Sequence, residues 1–135
     1  MSWQASLVRI AGYEVEQLRK RLASVVDRRV EAELRLALLH AEAVTELARA
    51  ADPETAWCRA GYMDGWRMRR DETVAHIAGV ASEEAGARDA LARAFEELKK
   101  YEQVEQNAEI QARAVESKLE AAVLDELGAR RAMAR

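Results

Sequence analysis

Apolar residues recur every three to four positions through the first fifty residues. With Val8, Val15, Leu22, Arg29, Leu36, Ala43 and Ala50 at heptad position a, position d holds Ala11, Leu18, Val25, Ala32, Leu39 and Glu46. All but Arg29 and Glu46 are apolar, and a repeat kept over six heptads belongs to coiled coils. The spacing predicts a helix from about residue 2 to 51, with Ser2 as its N-cap. Asp52-Pro53-Glu54 then supplies a stop and a new start: a capping acid, a proline suited to the first helical position, and an acid near the positive helix end.

From residue 71 to about 132 the pattern returns. Ile77, Glu84, Leu91, Leu98, Glu105, Ala112, Leu119 and Glu126 occupy a; Val80, Ala87, Ala94, Tyr101, Ala108, Val115, Ala122 and Ala129 occupy d. Val123 and Leu127 make the stripe drift near its end, as a faltering heptad does. Between the two helices, residues 52–70 hold Trp57, Cys58, Tyr62, Met63, Trp66 and Met68, with Gly61 and Gly65 as interruptions. That composition predicts a short or broken helix at a tip. The fold class is therefore all-α: a single domain, residues 1–135, forming a long antiparallel two-helix coiled-coil hairpin.

Neither helix buries its stripe alone. In antiparallel pairing an a residue faces a d residue, and the favoured register is the one in which paired numbers sum to 137. Leu18 then meets Leu119, Leu22 meets Val115, Leu36 meets Tyr101, Leu39 meets Leu98, Ala43 meets Ala94 and Ala50 meets Ala87. Arg29 and Glu105 fall one layer apart beside alanines, and a seam pair of opposite charge fixes register because a slip would strand each partner. A register with sums of 130 faces Glu46 with Glu84 and is disfavoured by like charge.

Composition agrees with long helices: half of the 135 residues are apolar and a third charged, with one proline and six glycines. Enough apolar surface exists to offset ordering entropy, and breakers are few. The net charge of −3 argues against nucleic acid as the main partner. Residues 82–126 carry six Lys/Arg against twelve Asp/Glu, which suits a solvated coiled-coil face. Arg19-Lys20-Arg21 and Arg28-Arg29 suit such a flank as well.

The lone Cys58 has no disulfide partner, no apolar run reaches the ~18 residues of a membrane span, and no secretion signal opens the chain. A cytosolic protein without membrane insertion is expected. No catalytic, cofactor or metal site is expected either. His40 and His76 are isolated, Glu72 and His76 make only two ligands, and Gly61 with Gly65 lacks the lysine of a phosphate loop.

The tip is where chemistry concentrates. Four of the large side chains lie within ten residues, although the chain has only seven aromatics. Trp57, Tyr62, Met63, Trp66, Ile77 and Val80 are expected to pack the turn and to leave apolar surface for a partner.

Two stretches carry a family resemblance: Lys99-Lys100-Tyr101-Glu102-Gln103-Val104-Glu105 and Leu124-Asp125-Glu126-Leu127-Gly128-Ala129-Arg130-Arg131. The chain resembles the flagellar type III export protein FliJ family, with Val104 where leucine is commoner and Gly128 inside the closing helical turn. The resemblance implies a stalk-like adaptor of the export apparatus, peripheral to the membrane. Such an adaptor would stimulate the export ATPase ring and link it to the cytoplasmic domain of the export gate and to substrate chaperones. Val8, Arg9, Arg130 and Arg131 would form the ATPase-facing end. A generic self-associating coiled-coil scaffold is the alternative from another class, marked by a stable dimer that buries the tip. A small enzyme is the third, and it lacks a site.

Overall fold

The computed structural model describes residues 2–49 and 51–134, and the seam position Ala50 lies outside them. Helix α1 spans Trp3–Arg49, a one-turn 3-10 helix spans Ala56–Cys58, and helix α2 spans Arg59–Ala134. By contact the chain divides into two compact units: Glu16–Ala92, and Met1–Val15 with Arg93–Arg135. Among the described residues there is no strand. The chain is an all-α helical hairpin.

Local chemistry explains each helix end. The Ser2 hydroxyl accepts the Ala5 backbone N–H at 3.2 Å, satisfying one orphan donor of α1 as an N-cap should. At the other end, the Arg49 carbonyl accepts from the Asp52 N–H and from the Thr55 hydroxyl. The Asp52 carboxylate takes the Glu54 N–H at 3.2 Å. Asp52 therefore closes a turn rather than capping a helix at Pro53, and residues 51–55 are turn and bend.

The separate tip segment 52–70 is also corrected. α2 begins at Arg59 and runs through Gly61 and Gly65 without a break. Neither glycine has positive φ, and a Cβ at either would meet nothing within 4 Å. Glycine disfavours a helix by only about 1 kcal/mol, less than the burial of a neighbouring tryptophan returns.

In the unit Glu16–Ala92, three cross-helix contacts fix direction and register. The Trp66 indole N–H donates to the Leu39 carbonyl at 2.7 Å, Arg28 pairs with Glu83 at 2.8 Å, and Arg29 pairs with Glu84 at 2.5 Å. From Leu39–Trp66 to the Arg28 and Arg29 pairs, the partners rise along α2 as they fall along α1, so the helices are antiparallel. Val25, Ala32, Ala43, Trp66, Val80 and Ala87 are buried between them, and Leu18, Leu22, Leu36, Leu39 and Ile77 are half-buried.

In the other unit Ala11, Val15 and Ala94 are buried, while Val8, Leu98, Tyr101, Glu105 and Ala108 are half-buried. Every α2 residue from 109 to 134 is exposed.

The heptad assignment thus identifies the buried face of both helices, but the register with sums of 137 is wrong. Arg29 reaches Glu84, not Glu105, and these two glutamates share the a row three heptads apart. A slip by whole heptads preserves the face, so the seam pattern could not choose between them. The short turn does, because α2 starts a dozen residues earlier than expected. Val115 and Leu119, expected opposite Leu22 and Leu18, are 57% and 63% exposed. The Leu36–Tyr101, Leu39–Leu98, Ala43–Ala94 and Ala50–Ala87 pairings belong to the same discarded register.

Spin labels at positions 28 and 83, with Cys58 replaced by serine, should report a short separation by pulsed dipolar spectroscopy. A three-heptad slip would set the sites about 30 Å further apart along the helices. Because both glycines sit in regular helix with room for a methyl group, Gly61→Ala and Gly65→Ala should each stabilise the fold by about 0.5–1 kcal/mol in denaturant titrations.

Candidate functional site

Two regions concentrate unusual side chains: the α1–α2 turn with the helical turns beside it, and the end of α2 that buries nothing.

At the turn, Trp66 is the anchor. It is only 6% exposed, its indole donates to the Leu39 carbonyl, His40 meets its edge with ring centroids 5.4 Å apart, and Arg70 lies 5.4 Å over its ring. Next to it, Glu42 accepts from both Arg69 and the Tyr62 hydroxyl, bridging the two helices. Burial first, and then the Glu42 and Glu46 carboxylates, push the Tyr62 hydroxyl above its ordinary pKa. Tyr62 therefore remains a neutral donor at physiological pH.

The residues expected to form a docking tip separate into two groups. Trp66 and Val80 are buried and Ile77 is half-buried, so these three build the hairpin. Trp57 is 84% exposed in the 3-10 turn, with Tyr62 and Met63 half-buried beside it. Glu46, Arg49, Thr55, Cys58, Arg59 and Tyr62 line a cavity of about 530 Å3 there, a size typical of ligand-holding clefts. On α1, Val30, Leu34 and Leu38 form an exposed row at i, i+4, i+8 spacing. Their spacing was legible in the sequence, but they lie off the a/d stripe that forms the seam.

Further along the seam Glu84 is the buried charge. Arg29 and Arg88 both donate to its carboxylate, Arg88 at 2.8 Å, and Glu33 holds the far side of Arg29 at 3.1 Å. The Arg88 hydrogen bond and the Arg29 contacts hold Glu84 below the usual carboxylate range, against burial, which opposes them. Glu84, followed by Glu33, raises Arg29 in turn. Two cations around one desolvated carboxylate leave no stranded charge, which is the condition for such a cluster to specify register.

At the other region, Val115, Leu119, Val123, Leu124 and Leu127 are all at least half exposed. Arg130 pairs with Glu126 at 2.9 Å. Val8 is half-buried in the seam and Arg9 is exposed. Glu105 is half-buried in this same unit, away from any pairing with Arg29.

Among the described residues no three His, Cys, Asp or Glu side chains are placed to hold a metal ion, and no helix is long and apolar enough to cross a membrane. The features present are a coiled-coil seam, exposed apolar rows and an arginine-rimmed cavity. They define a helical-hairpin protein of coiled-coil type.

The particular family is shown by sequence. The chain belongs to the flagellar FliJ family, being 50% identical over 131 residues to the Flagellar FliJ protein of Caulobacter vibrioides (strain NA1000 / CB15N), across 96% of this chain and 94% of that one. The Flagellar FliJ protein of the strain ATCC 19089 / CIP 103742 / CB 15 matches to the same extent. No family model and no solved structure matches the chain.

Trp66→Ala should cost about 3–5 kcal/mol by chemical denaturation, as large-to-small changes at buried aromatics do. Trp66→Phe should cost less, since it keeps most of the apolar contact and gives up the hydrogen bond. Glu84→Gln should lower the melting temperature at neutral pH. A carboxylate whose folded pKa is depressed contributes stability above the ordinary carboxylate range and loses it as pH falls through the folded value. The gap between Glu84→Gln and the parent chain should therefore close on acidification. A gap unchanged from neutral pH to well below that range would contradict the cluster's role.

Proposed function

We propose that this chain is a non-catalytic adaptor of the flagellar protein-export apparatus, working on the cytoplasmic side and peripheral to the membrane. In this role it stimulates the export ATPase and links it to the export gate and to substrate chaperones. Family membership supports the flagellar setting. The observation that carries the rest is the end of α2: residues 109–134 are helical, exposed on every side, and yet bear Val115, Leu119, Val123 and Leu127. A helix end of that length keeps an apolar face in water only at a cost that a partner groove would relieve.

The ATPase ring is the partner suited to this segment, with Arg9, Arg130 and Arg131 steering the encounter. The gate is assigned to the turn region, through the cavity and the exposed Trp57 rather than through Trp66, Ile77 and Val80. A site inside the fold cannot serve docking without unfolding it, so Trp66 and Val80 variants would lose every activity together.

Because Leu119 and Leu127 bury nothing, replacing both with serine should leave helicity and melting temperature nearly unchanged. The double variant should reduce stimulation of the purified export ATPase by about tenfold or more, the loss expected from removing two apolar anchors at an interface. Full stimulation by the variant would count against the assignment. A concentration-dependent dimer of the parent chain, abolished by the same substitutions, would favour the self-associating scaffold instead.

A further inference from the structure

The cavity at the turn carries charge information as well as shape. Its floor comes from Thr55 and Cys58 in the turn, and its walls from Glu46 and Arg49 of α1 and Arg59 and Tyr62 of α2. Both helices belong here to the unit Glu16–Ala92. The polar groups around it are nearly all committed. Arg49 pairs with Glu46 at 3.4 Å, the Tyr62 hydroxyl donates to Glu42, the Thr55 hydroxyl donates to the Arg49 and Asp52 carbonyls, and the Cys58 thiol donates to the Thr55 carbonyl. Arg59 differs, because its guanidinium has no ion-pair or hydrogen-bond partner among the described residues. The cavity thus offers an apolar wall, the Tyr62 ring and the arginine stems, with one uncommitted cation at its edge.

We propose that this cavity receives a partner peptide through an apolar side chain, aromatic or large aliphatic, carried next to a carboxylate that pairs with Arg59. The occupant follows from charge complementarity. An apolar side chain fills the space, a neighbouring Asp or Glu answers Arg59, and a basic neighbour would meet like charge. The proposal rests on the reading of the turn as a partner-docking region and names the chemistry that region selects.

The test uses the full chain, labelled with 15N, and three blocked probes: acetyl-Glu-Phe-Glu-amide, acetyl-Lys-Phe-Lys-amide and acetyl-Glu-Ala-Glu-amide. Acetyl-Glu-Phe-Glu-amide should shift amide signals of residues 46–62 in a saturable way. The other two should bind there at least about tenfold more weakly, the scale of one lost charge pair or apolar anchor. Arg59→Glu should reverse the preference toward the lysine probe while leaving the melting temperature nearly unchanged, since the Arg59 side chain makes no hydrogen bond or ion pair among the described residues. Equal response to the acidic and basic probes, or shifts outside residues 46–62, would overturn the proposal.

A parallel capture experiment with the gate's cytoplasmic domain separates the two claims. Loss of gate capture in Arg59→Glu without peptide selectivity would retain docking at the turn and discard the proposed peptide chemistry. Peptide selectivity with unaffected gate capture would keep the cavity's chemistry and discard the gate as its occupant.

Discussion

A heptad seam repeats, and anything that repeats can slip. Together with the short turn, what holds the hairpin against slipping is Glu84, a desolvated carboxylate that needs cations where α2 comes to rest. In the observed register it finds two, Arg88 one turn along its own helix and Arg29 across the seam. A whole-heptad displacement would keep the apolar face buried yet take Glu84 away from Arg29 and leave it beside apolar residues of α1 or, with sums of 130, against Glu46. Arg88 travels with Glu84 in any register, so a slip removes the cross-seam Arg29 contact from a buried carboxylate, and the cluster acts more by disfavouring alternatives than by adding stability. The short turn and the Trp66 anchor then agree with it, as local and distant constraints must for a single native arrangement.

Fixing the register also decides which surfaces remain. Because α2 is 76 residues long and α1 is 47, antiparallel pairing from a tight turn cannot cover all of α2. The uncovered part is residues 109–134, and there the sequence still places Val115, Leu119, Val123 and Leu127 at helical spacing. The exposed apolar end of α2 is thus a consequence of helix lengths and turn position. Moved three heptads along, Val115 and Leu119 would be core.

The buried faces of both helices were legible from residue spacing alone, since burial follows the heptad from Val8 through Glu46 and from Ile77 through Ala108. Register was not legible, because Glu84 and Glu105 occupy equivalent positions and each offered Arg29 a plausible partner. The turn was misplaced for a different reason. Gly61 and Gly65 suggested a broken segment, but intrinsic propensity is a weak prior and the packing of Trp66 against Leu39 and His40 overrides it. That error carried into the site: Trp66 and Val80 were placed on a docking surface, whereas large apolar residues beside a tight turn are what holds it shut. Trp57, in the turn itself, is the aromatic that stays in water.

The proposed docking of the uncovered end of α2 is open to one direct measurement: hydrogen–deuterium exchange of the full chain, alone and with the export ATPase. Alone, residues 109–134 should exchange fast, as a helix end with no tertiary contacts does, and the seam around Arg29 and Glu84 should exchange slowly. With the ATPase, protection should rise across 109–134 and stay unchanged around Glu84. Protection gained only within residues 16–92, with 109–134 still exchanging fast, would contradict it.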